Sequence, residues 1–351
     1  MPDKTEVLTF SQAINQALSD AMFLNPKVVC FGLGATDPKR IFGTTTLLKE
    51  KFGKERVWDV PCSENGLTGV AIGMALMGHP TILTHQRVDF MLLSFDQLIN
   101  NAAKWSFMFG QKIDLPLTIR AMIGQGWGQG PTHSQTLVST LMTVPGLRVI
   151  APSTPQDAYS SLFQAIQLPE PVIVLEHRWL HDSKGTVDSS LKLIPKTRKR
   201  RSGGSMTVVA YSYLINQCLL AANFLSQFGI ELEIFDICDL NNIDFSLIAS
   251  STRETKNLLF VDMDNSKSSI SNSFMTTVLA KVNNIDRWKI ISYPNTPVPT
   301  SHLLAKHYYI DSYSIAQEVI ELLGIDINED ELKPLISRFD DVPSDAFRGP
   351  F

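Results

Sequence analysis

One carboxylate, Glu64, is the residue best placed to do chemistry. It falls in Val60-Pro-Cys-Ser-Glu-Asn-Gly66, between a predicted strand and the glycine-containing start of a predicted helix. A carboxyl group in that position can exchange a proton with a bound cofactor. The same spacing also suits an acid that simply caps a helix start, where the helix dipole favours negative charge, and the residues alone leave both readings open. A second candidate is the run Gly124-Gln-Gly-Trp-Gly-Gln-Gly130. It lacks the Lys-Ser/Thr of a phosphate-binding loop and has no acid-bearing dinucleotide unit behind it, so it reads as a flexible active-site loop or a plain surface turn. Cys30, Cys62, Cys218 and Cys238 are scattered without a CxxC or a Cys/His cluster. That pattern indicates neither a zinc site nor a disulfide framework and leaves reduced thiols.

The elements that must position these residues alternate between helix and strand. Thr9 and Gln12 have the spacing of a capping box, and Ala13, Ile14, Ala17, Leu18, Ala21 and Met22 follow at helical period. Val28–Phe31 reads as a short buried strand, Leu47–Phe52 as a helix closed by Gly53, and Val57–Val60 as a strand. The small-residue run Gly66–Gly78 is expected to be a helix packed closely against another backbone, in the core or at a subunit interface. Pro80–Thr84, Leu117–Arg120 and Leu147–Ile150 read as strands and Phe95–Trp105 as a helix, so parallel βαβ units are the natural assembly. From Pro195 to Gly204 the composition turns basic and rich in Gly and Ser, the mark of a linker, and its run Lys196–Arg201 reads as solvated. A second α/β pattern follows through Met206–Tyr211, Ile230–Phe235 and Leu258–Asp262. The expected organisation is therefore a first domain over 1–195, a linker over 196–204, a smaller domain over 205–326 and an extended tail over 327–351. No internal repeat is evident.

With 351 residues the chain is long enough for two domains and a large core. Charged residues make up 19%, below the usual level of about a quarter in soluble chains, which suggests apolar surface covered by a partner. A net charge of −4 gives no general pull toward nucleic acid or anionic membrane, and neither is an expected partner. The N-terminus lacks an apolar signal core and no apolar stretch of about 18 residues occurs, so a cytoplasmic location is the default expectation.

Five segments then carry a resemblance. Val60-Pro-Cys-Ser-Glu-Asn-Gly66, Phe95-Asp-Gln-Leu-Ile-Asn-Asn-Ala-Ala-Lys104, Gly130-Pro-Thr-His-Ser-Gln135, Pro145-Gly-Leu-Arg-Val-Ile-Ala-Pro-Ser-Thr-Pro155 and Val174-Leu-Glu-His177 occur in the order found in one family. The chain resembles the beta subunit of thiamine-diphosphate-dependent 2-oxo acid dehydrogenases, the decarboxylating component, over roughly residues 7 to 325. The resemblance implies a transketolase-like pyrimidine-binding parallel-sheet domain followed by a smaller α/β transketolase C-terminal domain. It implies that Glu64 hydrogen-bonds N1′ of the cofactor's aminopyrimidine, where a poorly solvated carboxyl shares its proton with the ring. It also implies that Phe90 stacks on that ring and that His133 donates a proton or hydrogen bond to substrate. The family's diphosphate and Mg2+ are held by a Gly-Asp-Gly motif on a separate alpha subunit. This chain has no such triplet, so the expected assembly is α2β2, with a beta–beta contact and a lipoyl acyltransferase as a further partner.

Departures from the family point to a specialised paralogue. Gly32-Leu33-Gly34 lacks the acid usual after the first-strand glycine. His85-Gln-Arg-Val-Asp89 places His85 and Arg87 where many relatives carry acidic or aromatic residues, which makes both candidate substrate-binding residues; Arg87 could read a substrate carboxylate or phosphate in bidentate fashion, or form an ion pair with Asp89 or a partner acid. Relatives often bind potassium through an Asp/Asn pair before the Val-Leu-Glu strand. Here Leu168 stands at the acidic position of Gln167-Leu-Pro-Glu-Pro171, and a hard cation needs oxygen ligands, so that site is expected to be lost or reduced to carbonyls. Asp264-Asn-Ser-Lys-Ser-Ser269 replaces a Gly-rich segment and could change how the second domain meets the alpha subunit or an acyl carrier. Three functions remain on this reading: decarboxylation of a 2-oxo acid with acyl transfer to a lipoyl group, carbon–carbon ligation of the transketolase or acyloin type, and a non-catalytic scaffold.

Overall fold

The computed structural model describes residues 5–110, 113–124 and 129–336. Six strands of the first half lie side by side in the order Val57–Asp59, Val29–Gly32, Thr81–His85, Leu117–Ile123, Val172–His177, Arg148–Ile150, all parallel. The two-residue period of a strand sends alternate side chains to opposite faces. Phe31, Leu83, Ile119 and Ile173 fall in register on one face, while Cys30 and Ile82 point to the other. The second face is covered by helices Phe10–Leu24 and Pro155–Ala165, which pack on each other. The first face is covered by helix Glu64–Leu76 and by the irregular helix that begins as π-helix at Gln97–Ala102 and continues through Ala103–Met108. Helix Phe10–Leu24 starts on the capping box seen in the sequence, with Thr9 Oγ1 accepting from Gln12 N–H and Gln12 Oε1 accepting from Thr9 N–H.

A second sheet has the order Arg287–Tyr293, Asn257–Asn265, Met206–Ala210, Leu232–Ile237, Thr197–Arg201, in which only the last strand runs antiparallel. The basic run Lys196–Arg201 is thus not a solvated linker. It is the edge strand of this sheet, and its cations are matched by acids from both halves of the chain. Arg198 Nη1 donates to Asp157 Oδ1 at 2.6 Å, Arg200 reaches Asp157 and Asp236, Lys199 pairs with Glu233 at 2.8 Å, and Arg201 pairs with Glu231. Asp157 belongs to the helix that covers the first sheet, so this strand fastens the two sheets together. Burial pushes Asp236 up to about 6 even with the Arg200 guanidinium beside it.

The helix of small residues, Glu64–Leu76, meets expectation only in part. A Cβ at Gly73 would touch nothing within 4 Å, and Val70 and Met77 are exposed. The side of this helix that carries Gly73 therefore faces outward from the chain. In the stretch 327–351, Glu329–Leu332 and Lys333–Leu335 form helical turns with Leu332 buried, in place of the start of an extended tail, and residues 337–351 lie outside the described residues. Residues 125–128 of the glycine-rich run likewise lie outside them.

Candidate active site

In parallel α/β sheets ligands bind beyond the carboxyl ends of the strands, and the sequence-derived candidates gather there. The segment after strand Val57–Asp59 carries Glu64; the end of strand Thr81–His85 and the residues after it carry His85, Arg87 and Phe90. Glu64, His85 and Phe90 line one cleft with Leu33, Leu67 and Leu83. Glu64 is the first residue of helix Glu64–Leu76 and is half-buried, and the Cys62 thiol lies 3.7 Å from its Oε1. A first-turn acid and a cleft-lining acid are the same group here. Ser63, at the cap position, makes no side-chain cap bond.

His85 is the last residue of its strand and only 5% exposed, and its Nε2 has no hydrogen-bond partner among the described residues. Burial lowers its pKa to about 4, so the imidazole is neutral at physiological pH. Arg87, also buried, donates through Nη1 to Gly124 O at 3.2 Å and through Nη2 to Gln129 Oε1. Those two acceptors flank residues 125–128. Asp89 accepts instead from Gln135, at 3.4 Å from N–H and 2.8 Å from Nε2. The structure therefore corrects the pairing with Asp89 read for Arg87. It forms no ion pair with Asp89 among the described residues, and two of its donors hold the ends of the glycine-rich segment. Gly124 is required where it stands, since its φ is +83° and a Cβ would come within 2.2 Å of His177 Nε2.

Phe90 and His133, 43 positions apart, meet edge to face, with ring centroids 5.3 Å apart and planes at 87°. Thr132 Oγ1 lies 2.9 Å from His133 Nδ1. The segment that carries His133 is braced by the second half of the chain: Gly130, at φ +67°, sits so close to Thr300 that a Cβ would fall 2.4 Å from its Oγ1. Thr136 Oγ1 donates to Met263 O at 3.0 Å and to Asp264, and Asp264 also accepts from Ser139 N–H. Asp264, the first residue of the segment read as able to change how the second domain meets a partner, is buried against the first half of its own chain. Sequence reasoning also missed Arg120 and Glu176, a fully buried bidentate pair at 2.6 and 2.9 Å beneath the cleft, with Arg120 Nη1 donating to Thr84 Oγ1 at 3.3 Å. The signal was an Arg and a Glu inside two strands that are otherwise mostly apolar.

Residues 6–182 match the family model described as the transketolase pyrimidine-binding domain, and residues 195–315 match the transketolase C-terminal domain. The chain is 34% identical over 323 residues to the beta subunit of acetoin:2,6-dichlorophenolindophenol oxidoreductase from Cupriavidus necator, covering 88% of this chain and 95% of the relative. It is 36% identical over 256 residues to the beta subunit of 3-methyl-2-oxobutanoate dehydrogenase from Mycobacterium tuberculosis, covering 72% and 74%. A solved structure described as a split-gene transketolase, inactive beta4 tetramer, superposes with a TM-score of 0.74 at 18% identity over 91% of this chain and 99% of that one, a likeness of fold. The chain belongs to the transketolase-like beta subunits of 2-oxo acid dehydrogenases.

Enzymes of this family use thiamine diphosphate and pair the beta subunit with an alpha subunit. In this beta subunit the cleft suits a flat heterocycle. Leu33, Leu67, Leu83 and Phe90 offer apolar faces, the Glu64 carboxylate offers an acceptor, and His85 Nε2 is a buried polar atom in want of a partner. Leu33, at the position where an acid was expected, lines the cleft and adds to its apolar wall. No group of three His, Cys, Asp or Glu able to hold a metal occurs among the described residues, and no helix is long and apolar enough to cross a membrane.

Proposed function

We propose that this beta subunit binds the aminopyrimidine half of thiamine diphosphate at the Glu64 cleft and, with an alpha subunit that holds the diphosphate and Mg2+, decarboxylates a 2-oxo acid whose acyl unit passes to a lipoyl group. The observation that carries the reading is the convergence of Glu64, His85 and Phe90 in one cleft with His133 against Phe90. When bound, thiamine diphosphate supplies the electron sink for loss of carbon dioxide. The chain's own residues hold and move protons around it. The Glu64 carboxyl exchanges a proton with the ring nitrogen N1′ in a half-buried site walled by leucines, where water competes poorly for the same proton. Phe90 supplies a flat apolar face. His133, edge to face against Phe90, donates or accepts a proton at the substrate.

The proposed assembly is α2β2, with a lipoyl acyltransferase as the acceptor. The exposed residues Val70, Met77, Leu93 and Phe107, on neighbouring helices of the first domain, support a partner surface there, because solvent-facing apolar groups on this scale usually mark an interface. We further propose that the pyrimidine-binding domain occupies 1–195 and that the C-terminal domain, whose sheet includes strand Thr197–Arg201, runs from 196 to 326 in place of starting at 205. Acetoin oxidoreductase subunits among the relatives put an acyloin on the substrate panel beside 2-oxo acids. The test is carbon dioxide release and acyloin cleavage by the chain reconstituted with its alpha subunit, with and without Glu64→Gln. A loss of about 10^2- to 10^4-fold in turnover is expected for removal of the proton-exchanging group. Unchanged turnover would overturn the assignment.

A further inference from the structure

We infer that His85 is a cofactor-binding residue, whose imidazole hydrogen-bonds the polar edge of the aminopyrimidine ring held by Glu64. The inference rests on the proposed reading of the Glu64 cleft and adds to it a contact from the strand end. Three observations converge on it. His85 is the last residue of strand Thr81–His85, inside the six-stranded sheet, where it pairs with Ala121 while Thr81–Thr84 before it are laddered on both sides. Its side chain is 5% exposed, and Nε2 meets no donor or acceptor among the described residues. A buried polar atom left in that state is costly, and native proteins nearly always give such an atom a partner. The cavity beside it is the one lined by Glu64 and Phe90.

The class of ligand follows from what else is in the cleft. Its apolar walls near His85 are Leu33, Leu67 and Leu83; of its polar side chains Thr84 accepts from Arg120 and Gln86 donates to Leu33 O, so Glu64 and His85, with Ser63 at the helix start, are the ones placed to read a ring edge. His133 does not line this cleft. It meets Phe90 edge to face, so the group that reaches His133 and the group that reaches His85 are different parts of the bound molecules. A heterocycle that presents ring nitrogens and an exocyclic amino group around an apolar face matches an acceptor carboxylate on one side and a neutral imidazole on the other. Burial keeps that imidazole neutral, able to accept through one nitrogen and donate through the other.

The experiment uses the alpha–beta complex. Titration calorimetry with Mg2+ and thiamine diphosphate, and separately with Mg2+ and pyrophosphate, is run on the wild type, His85→Phe and His85→Gln. His85→Phe is expected to weaken thiamine diphosphate about ten-fold, the size of one net hydrogen bond, and to leave pyrophosphate binding unchanged. His85→Gln, which keeps a hydrogen-bonding group, is expected to restore most of the loss. Equal weakening of both ligands by His85→Phe, no weakening of either, or a raised KM for the 2-oxo acid with unaltered cofactor affinity would each overturn the inference. The Glu64→Gln turnover measurement separates this result from failure of the underlying reading. Turnover lost on Glu64→Gln with cofactor affinity unmoved by His85→Phe removes only the His85 contact. Turnover kept on Glu64→Gln removes both.

Discussion

Arg120 offers the sharpest stability test. Its guanidinium is fully buried, donates from Nε and Nη2 to the two Glu176 oxygens at 2.6 and 2.9 Å, and reaches Thr84 Oγ1 with Nη1 at 3.3 Å. In Arg120→Met an alkyl chain of similar reach fills the space but strands the Glu176 carboxylate in the interior, with His181 Nε2 3.8 Å away as the neighbouring nitrogen. Breaking a buried pair from one side costs about 3–5 kcal/mol, whereas replacing both partners by apolar groups is often neutral. At about 2–4 °C per kcal/mol for a domain of this size, the single variant should melt about 6–20 °C lower. Arg120→Met/Glu176→Leu should recover most of that. Scanning calorimetry on the three proteins decides it: a single variant within about 2 °C of wild type, or a double variant no better than the single, would refute the claim that the stranded charge is what matters.

Two further outcomes follow from the interior. Asp157→Asn weakens the acceptor shared by Arg198 and Arg200, and should expose the basic strand to trypsin at Lys199–Arg201 several-fold faster than in wild type; identical cleavage rates would return that segment to the status of a simple connector. His85 and His177 have pKa values lowered by burial to about 4 and about 3. The unfolded chain takes up protons below about pH 6.5 that the native imidazoles refuse, so stability is complete above that pH and falls as the pH drops through it toward 4. The His85 share reaches about 3 kcal/mol, at 1.36 kcal/mol per pH unit. Melting temperature against pH should therefore flatten in His85→Phe, and a curve parallel to wild type would dispose of the idea.

Local chemistry was legible where neighbours in sequence decide the structure. The capping box of Thr9 and Gln12, the closing Gly53 and the apolar strands Val29–Gly32 and Leu117–Ile123 form as their residue types dictate. Helix Pro155–Ala165 was readable too, with Thr154 capping Asp157 N–H and Pro155 at its first position, but it went unread. What spacing cannot reveal is a partner far along the chain. Thr5–Thr9 becomes a strand only because Lys184–Asp188 pairs with it. Lys196–Arg201 looks solvated until Asp157, Glu233 and Asp236 arrive from a distant helix and strand. Phe90, on the short helix Val88–Met91, and His133, in a turn, meet across separate segments, and only family resemblance put both in one site before the fold did. Arg87 was legible only in part, because its acceptors within the chain, a carbonyl at Gly124 and an amide at Gln129, lie far along the sequence and stand where Asp89 was read.

The arginine-bearing edge strand has a consequence for how substrate gets in. A connector hydrogen-bonded along one layer and ion-paired into the other leaves no slack for a hinge, so the two lobes of the subunit travel as a single block. Entry and exit at the cleft then fall to short segments at its rim and to the seam with whatever polypeptide completes it, and tightening that seam would slow turnover without touching a proton-carrying group.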